Sequence, residues 1–142
     1  MKSGKVNNKL FIFGASGFLG RSLSKNLTFG SETVKVGRNC DGVFFDLETS
    51  NPEDLKNYTC RGDIWVFLAA VTSTEECESR PEFALNINVD KTKILITWLT
   101  NLGIKVLFAS SDTVFGGKLD LAYDEDAPQP LGEYATHKAL VE

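Results

Sequence analysis

The sequence predicts an α/β fold in which helices cover both faces of a doubly wound, parallel sheet. Short apolar runs rich in Val, Ile and Phe alternate with longer segments whose apolar residues recur near the helical period. The short runs are apolar at nearly every position, as expected for strands that are buried on both faces. The 142 residues, of which 42% are hydrophobic and 24% charged, suffice for one domain with its own core.

Four short runs, bounded by Gly, Asn or Asp, are predicted to be strands. Numbered in chain order, they are expected to form a parallel sheet in the order 3-2-1-4 with right-handed crossovers. These predicted strands are Leu10–Phe13, Thr33–Val36, Ile64–Ala69 and Lys105–Ala109.

Helices are expected between these strands. Pro52 is expected to open a short helix that runs to about Tyr58. A longer helix is expected over Ile87–Leu102, ended by Gly103. The apolar residues at helical spacing are Phe18, Leu19, Leu23 and Leu27 in the first helix, and Ile87, Ile94, Leu95, Trp98 and Leu102 in the longer one.

Composition disfavours several classes of function. The net charge of −4 provides no basic excess of the kind found in nucleic-acid-binding proteins, so no nucleic acid partner is expected. No run approaches the roughly 20 apolar residues of a membrane span, so no membrane partner is expected. The three cysteines, Cys40, Cys60 and Cys77, form no CxxC pair, which predicts no metal site and a reduced, cytoplasmic location.

A glycine-rich turn, G-x-x-G-x-x-G, follows the first predicted strand and opens the first predicted helix. Its early glycines permit a tight turn and close approach of a pyrophosphate to the helix N-terminus, and its last glycine lets helix and strand pack closely. The alternative is a glycine-rich turn without a ligand. The pattern predicts dinucleotide contacts from Gly14, Ser16, Gly17, Phe18, Leu19 and Gly20.

Arg38 follows the second predicted strand, where dinucleotide folds contact the adenosine ribose. NAD-binding proteins usually have Asp or Glu here, which accepts hydrogen bonds from the ribose hydroxyls. A carboxylate would repel the 2′-phosphate of NADP, whereas an arginine fork can bind it bidentately. Arg38, with Arg21 as a second cation, therefore favours NADP, with NAD as the second choice. The alternative is an ordinary surface arginine.

Tyr134 and Lys138 lie four positions apart, so a helix would place them on one face. A neighbouring ammonium ion favours the phenolate and would lower the pKa of Tyr134 toward the working range. Upstream, Ser110 and Ser111 end the fourth predicted strand, at the sheet edge where open α/β sheets bind ligands. The alternatives are a chance Y-x-x-x-K spacing and a serine that caps a turn or helix. His137 is interpreted as a surface residue without a catalytic role.

Taken together, these motifs resemble the extended short-chain dehydrogenase/reductase family, whose epimerases, dehydratases and reductases act on nucleotide sugars. The glycine turn, Tyr134 and Lys138 match its motifs, although Ala135 and His137 replace the more usual Gly and Ser. Other matches are Asp46–Leu47 near the adenine, Asp63–Ala70 with Phe67 where His is usual, and Asn88 with Thr92 in the N-V-x-x-T helix. The resemblance implies a Rossmann-like fold with further cofactor contacts from Asp46, Leu47, Leu68, Ala69, Ala70, Asn88, Ser110, Tyr134 and Lys138.

Within this family, Cys77–Ala84 and Ser110–Phe115 are similar to the dTDP-4-dehydrorhamnose reductase branch. Its S-T-D-x-V-F pattern puts Ser111 at the catalytic Ser/Thr position. The family's 4,6-dehydratases carry Asp-Glu after the catalytic Thr. Here Thr113 follows Asp112, which disfavours dehydration.

The resemblance implies that Tyr134 donates a proton to a sugar keto oxygen, that Lys138 holds the nicotinamide ribose, and that Ser111 hydrogen-bonds the same oxygen. The expected function is NADP-linked reduction of a nucleotide-linked keto sugar by the parent protein, with a homodimer as a possible assembly. A nucleotide-sugar epimerase and a non-catalytic dinucleotide-binding module are the alternatives.

The last helical pattern starts near Gly132, after the polar loop Asp120–Pro130, and still runs at Glu142. We therefore expect residues 1–142 to be an NAD(P)-binding domain that is incomplete at its C-terminal end. In the family this chain resembles, most of the nucleotide-sugar pocket lies beyond the Tyr–Lys helix. The chain alone is expected to be nearly inactive.

Overall fold

The computed structural model describes residues 8–27, 32–116 and 127–142. The described residues form a five-stranded parallel sheet in the order β3-β2-β1-β4-β5. The predicted doubly wound α/β class is thereby confirmed. The strands are β1 (Leu10–Phe13), β2 (Thr33–Gly37), β3 (Val43–Phe44), β4 (Ile64–Phe67) and β5 (Lys105–Phe108).

Helical segments connect the strands in chain order. Two of them, Pro52–Leu55 and Asp112–Phe115, are 3₁₀ helices, and Asn86–Lys91 is a π-helical segment. No helix in the described parts of the chain is long and apolar enough to cross a membrane. The α-helices are α1 (Phe18–Asn26), α2 (Thr74–Ser79), α3 (Pro81–Leu85), α4 (Thr92–Asn101) and α5 (Glu133–Val141).

The predicted strand order was wrong for the third and fourth predicted strands. The third, β4, pairs with β1 and not with β2, and the fourth, β5, pairs with β4 and not with β1. The place beside β2 belongs to β3, a strand of two residues that was not predicted. Two residues are too few to show the alternation or the apolar run on which strand prediction depends.

The core of the sheet is aromatic. All four residues of β1 are buried, and Phe11 stacks on Trp65 of β4 with ring centroids 4.8 Å apart. Phe13 meets Phe67 edge to face at 4.9 Å. Such pairs add about 0.5–1.5 kcal/mol beyond the burial of their area. The pairing of β1 with β4 is therefore supported by side-chain packing as well as by the ladder.

β5 departs from the prediction that every strand is buried on both faces. It is the edge strand of the described sheet, and its Leu107 is 60% exposed. The described residues therefore leave the face of β5 at Leu107 uncovered, which an apolar run in the sequence does not reveal.

The longer predicted helix is divided by the π-helical segment. The Thr92 hydroxyl donates to the carbonyl of Ile87, five residues earlier, at 2.9 Å. A π turn shifts the phase of the residues that follow. Ile94, predicted to be on the apolar stripe, is consequently exposed, whereas Leu95 and Leu99 are buried. Gly103, with φ +77°, ends the turn after α4 as predicted.

A buried carboxylate joins the amino-terminal ends of β1 and β4. Asp63 is fully buried and accepts hydrogen bonds from the backbone amides of Lys9, at 2.8 Å, and Cys60, at 2.7 Å. The Thr59 hydroxyl donates to it at 3.0 Å and accepts from Trp65 Nε1 at 3.1 Å. Three donors satisfy a charge that would otherwise be costly to bury.

The described residues form two compact units. The first comprises those up to Ala69 together with Leu95–Phe108, and it contains the whole sheet. The second comprises Ala70–Ile94 with the residues from Ala109 onward. Residues 120–126 of the predicted loop Asp120–Pro130 lie outside the described residues.

Candidate functional site

The predicted site residues fall into both units, and each group is described within its own unit. The glycine turn, Arg38, Asp46, Leu47, Leu68 and Ala69 belong to the first unit. Ala70, Asn88, Ser110, Ser111, Tyr134 and Lys138 belong to the second.

The glycine turn is sterically closed to side chains at two of its positions. Gly14 follows β1 with φ +90°, and a Cβ there would lie 2.9 Å from the amide nitrogen of Ala69. A Cβ on Gly20 would lie 2.7 Å from Cα of Ala15, and closer still to the carbonyl oxygen of Gly14. The last glycine is therefore required for the close packing of α1 on β1, as predicted from the motif.

The N-terminus of α1 has the features of an anion site. Gly17 is its N-cap and supplies no side-chain acceptor, and the first turn contains no acidic residue. The first amides of a helix have no intrahelical acceptor, and the helix dipole is positive at this end. Ser16, Phe18 and Leu19 are exposed around it. The cradle between the glycines and these amides fits a pyrophosphate, so the residues present suit a dinucleotide.

The two residues predicted near the adenosine differ in their surroundings. Arg38 directly follows β2 and is exposed. Asp46 is half-buried, and its Oδ1 accepts from the amide of Glu48 at 3.0 Å. Its own amide donates to the Ser50 hydroxyl at 3.0 Å, so Asp46 organises the turn that contains the buried Leu47. Arg38 is thus the residue at this strand end with a side chain open to a phosphate.

The segment after β4 begins as a continuation of the sheet. The amide of Leu68 donates to the carbonyl of Phe13 at 2.9 Å, and Leu68 and Ala69 are half-buried. Ala69 is also the residue whose backbone would meet a side chain at Gly14. The predicted cofactor edge and the glycine turn are therefore in contact within the first unit.

In the second unit, Tyr134 and Lys138 lie one helical turn apart on α5. Lys138 is buried, and its Nζ donates to the carbonyl of Ala109 at 2.7 Å. The same Nζ lies 5.7 Å from the centroid of the Tyr134 ring. Burial lowers the pKa of Lys138, and the Glu142 carboxylate partly opposes this. The carbonyl that holds the lysine is two residues before Ser111.

The prediction that Lys138 lowers the pKa of Tyr134 was wrong for this arrangement. Burial raises the pKa of Tyr134, and the neighbouring Cys77 raises it further. The Nζ of Lys138 is turned to the Ala109 carbonyl. A phenol with a raised pKa keeps its proton at neutral pH and can act as a proton donor.

The two serines have different partners. Ser111 is the N-cap of the 3₁₀ helix Asp112–Phe115: its Oγ accepts from the Thr113 amide at 3.3 Å and lies 2.8 Å from the Thr113 hydroxyl. The Ser110 hydroxyl donates to the Glu142 carboxylate. Ser111 thus caps this helix, and its contact with a substrate oxygen stays a prediction.

Asn88 and His137 form a contact that was not predicted from the sequence. His137, predicted to be on the surface, is buried, and its Nδ1 lies 3.3 Å from Nδ2 of Asn88. Its position three residues after Tyr134 puts it on an adjoining part of the same helix face, and this spacing could have predicted its burial. The Asn88 amide also bonds both backbone groups of Val71. In this structure its side chain is occupied by protein groups, and its cofactor contact stays a prediction.

A family profile described as RmlD substrate binding domain matches residues 8–142. The dTDP-4-dehydrorhamnose reductase of Escherichia coli (strain K12) is 31% identical over 132 residues, which are 91% of this chain and 44% of that protein. The chain therefore spans less than half the length of this curated relative.

Solved structures with the same fold include nucleotide-sugar enzymes and cofactor complexes. A hypothetical dTDP-4-dehydrorhamnose reductase from Sulfolobus tokodaii superposes with a TM-score of 0.82 at 28% identity, over 94% of this chain and 50% of that chain. MoeE5 in complex with UDP-glucose and NAD has a TM-score of 0.79 at 26% identity, over 94% and 46%. RMD from Pseudomonas aeruginosa complexed with NADPH has a TM-score of 0.74 at 26% identity, over 94% and 47%.

Proposed function

Because the chain belongs to the RmlD substrate-binding domain family, we propose that it is the dinucleotide-binding part of an NADP-linked reductase of a nucleotide-linked keto sugar. The observation that carries the proposal is the placement of Tyr134 and the buried Lys138 one helical turn apart on α5, with the Lys138 Nζ 5.7 Å from the centroid of the Tyr134 ring. The reductase named among the relatives supports the reaction type. The glycine turn supports the dinucleotide.

In this proposal Gly14, Gly17 and Gly20 would form the turn that holds the pyrophosphate of the cofactor, and the backbone amides of Phe18 and Leu19 would be its hydrogen-bond donors. NADPH supplies the hydride when bound. Arg38 binds the 2′-phosphate, which a carboxylate at this position would repel. NAD is the second choice, since MoeE5 was solved with NAD.

Tyr134 and Ser111 act on the substrate, and Lys138 acts on the cofactor. Tyr134 donates its phenolic proton to the keto oxygen as the carbon accepts hydride, and Ser111 donates a hydrogen bond to the same oxygen. Lys138 orients the nicotinamide ribose. A reductase is preferred to an epimerase because Arg38 favours NADP, whereas the epimerase alternative retains NAD.

Turnover is proposed to require sequence that these 142 residues do not contain, since the chain matches 44% of the reductase relative. Binding energy from the non-reacting nucleotide is what positions a keto oxygen at Tyr134 and Ser111. The proposal also includes a cytoplasmic location, supported by the free thiols of the three cysteines. It includes a homodimer as the assembly to test by light scattering.

The experiment compares the 142-residue chain with a chimera that continues it with the remaining part of the Escherichia coli reductase. NADPH oxidation is followed with dTDP-linked 4-keto sugars. The chimera is expected to turn over at roughly 1 per second or faster, and the chain alone at a small fraction of that rate. An inactive chimera that still binds NADPH would favour the second candidate function.

That second candidate is a non-catalytic dinucleotide-binding module. The observation that favours it is the orientation of the Lys138 ammonium, which contacts a backbone carbonyl while the pKa of Tyr134 is raised. A chimera that is active and loses its activity on Tyr134→Phe would exclude this alternative.

A further inference from the structure

Two side chains of the second unit, Asn88 and Cys77, bond the backbone of Val71, and a third, His137, contacts Asn88. The Oδ1 of Asn88 accepts from the Val71 amide at 2.8 Å, and its Nδ2 donates to the Val71 carbonyl at 2.9 Å. The buried Cys77 thiol donates to the same carbonyl at 3.5 Å. Both backbone groups of Val71 are thus satisfied by side chains; we call the paired bonds of Asn88 and Val71 the Val71 clamp.

The clamp determines how the Asn88 amide points. A backbone N–H only donates and a carbonyl only accepts. If the oxygen and nitrogen of the Asn88 amide were exchanged, its NH₂ group would face the N–H of Val71 and its oxygen would face the carbonyl of Val71, and neither pair could form a hydrogen bond. The second hydrogen of Nδ2 therefore points to Nδ1 of His137, 3.3 Å away. For a hydrogen bond to form there, Nδ1 must present its lone pair, which places the proton of the neutral ring on Nε2.

We propose that His137 is a positioning residue: its neutral imidazole accepts a hydrogen bond from Asn88 and stabilises the Val71 clamp, and protonation of His137 releases the clamp. A protonated ring presents N–H donors at both nitrogens, so Nδ1–H would face the N–H of Asn88. Asn88 cannot turn over without breaking both bonds to Val71. Either the contact between Asn88 and His137 or the bonds between Asn88 and Val71 must then break.

The charges around His137 determine the direction of its titration. Burial lowers the pKa of His137, and the Glu133 carboxylate, whose Oε2 lies 3.6 Å from Nε2, partly opposes this. Nε2 has no hydrogen-bond partner in the described ranges. Release is therefore expected at a pH below the ordinary histidine value of about 6.5. Among the described residues, Glu133 is the charged group that raises the pKa of His137. The other ionisable groups on α5 and on the helical segments packed against it are Glu75, Glu76, Cys77, Glu78, Asp90, Lys91, Asp112, Tyr134, Lys138 and Glu142.

The functional consequence rests on the proposed function. Val71 directly follows Ala70, the last residue of the predicted cofactor edge. Release of its backbone would loosen this edge, and NADPH affinity would then fall over the pH range in which His137 gains its proton.

The structural part can be tested on the 142-residue chain without cofactor, because His137 is the only histidine of the sequence. Long-range proton–nitrogen correlation spectra at about pH 7.5, well above the ordinary histidine pKa, report the tautomer. The proposal expects the proton on Nε2. A neutral ring with its proton on Nδ1 would overturn it.

Hydrogen exchange at the Val71 amide then tests the release. Its protection factor, corrected for the intrinsic pH dependence of exchange, is expected to fall about five- to tenfold as His137 becomes protonated. His137→Gln offers a carbonyl acceptor that does not titrate, and it should keep the protection nearly constant with pH. His137→Phe should show low protection at every pH. The proposed release of the Val71 clamp would be contradicted if the protection factor of the wild-type Val71 amide stayed constant while His137 gained its proton. It would also be contradicted if the His137→Gln variant lost protection on acidification to the same extent as wild type.

NADPH affinity, measured over the same pH range, separates this inference from the proposed function. Absence of NADPH binding at every pH would contradict the proposed function, while the tautomer and exchange results would still decide the role of His137. Constant NADPH affinity across the titration would overturn the link between the Val71 clamp and the cofactor edge.

Discussion

Substitution of Gly20 by alanine tests whether the glycine turn is as tightly packed as the structure indicates. Gly20 is buried inside α1, and a Cβ at this position would lie 2.7 Å from Cα of Ala15 and 2.9 Å from its carbonyl carbon. Both atoms belong to the backbone of the turn, so no change of side-chain rotamer can relieve the contact. The turn or the helix would have to move.

The expected net effect is a destabilisation of about 1–2 kcal/mol. Elsewhere in a helix, replacing Gly by Ala stabilises by roughly 0.5–1 kcal/mol, because glycine loses more backbone entropy on folding. Overpacking in a dense region costs about 1–3 kcal/mol, and a clash with backbone belongs in the upper part of that range. The steric term therefore exceeds the gain in helix propensity.

The measurement is urea denaturation of wild type, Gly20→Ala and the control Ser22→Ala at constant pH. Ser22 is exposed on the same helix, so its substitution changes helix propensity without a clash and should leave the stability within about 0.5 kcal/mol of wild type. If Gly20→Ala is as stable as wild type or more stable, the close approach of α1 to the turn is not real. Steric exclusion of a side chain would then not explain why glycine occupies position 20.

The other predictions concern the cofactor, the buried carboxylate, the reaction and pH. Arg38→Ala should weaken NADPH binding by about 1–3 kcal/mol and leave NADH binding unchanged in titration calorimetry; equal losses for both cofactors would contradict a phosphate contact. In Asp63→Asn an NH₂ group would face the Thr59 hydroxyl and the Cys60 amide, which donate hydrogen bonds to Asp63, and the unfolding free energy should fall by about 2–3 kcal/mol. A loss below about 0.5 kcal/mol would contradict a stabilising role of the buried carboxylate. In the chimera, Tyr134→Phe should slow reduction by roughly 10²–10⁴-fold at saturating NADPH, and retained turnover would remove Tyr134 from the mechanism. Because the folded state lowers the pKa of His137, the unfolded chain binds more protons below about pH 6.5, and stability should fall on acidification; His137→Gln should flatten this part of the profile, and a profile identical to wild type would argue against it.

Local sequence determined those features whose signal is contained within a few consecutive residues. The run Leu10–Phe13 is a strand with the predicted bounds, because four consecutive apolar residues before a glycine turn leave few other conformations. The turn at Gly14 and the start of α1 followed from the spacing of glycines, since positive φ and close packing exclude side chains there. The four-residue spacing likewise put Tyr134 and Lys138 on one helix.

Tertiary structure alone decided what depends on residues distant in the chain. β4 pairs with β1 because Trp65 and Phe67 pack on Phe11 and Phe13, and periodicity along one segment carries no information about which strand lies beside it. The same limit applies to protonation. The pKa of Tyr134 depends on its burial and on Cys77, which is 57 positions earlier in the sequence, and the burial of His137 brings it to Asn88. Spacing on a helix predicts which side chains share a face, whereas the packing of other elements against that face determines their solvation and hence their charge.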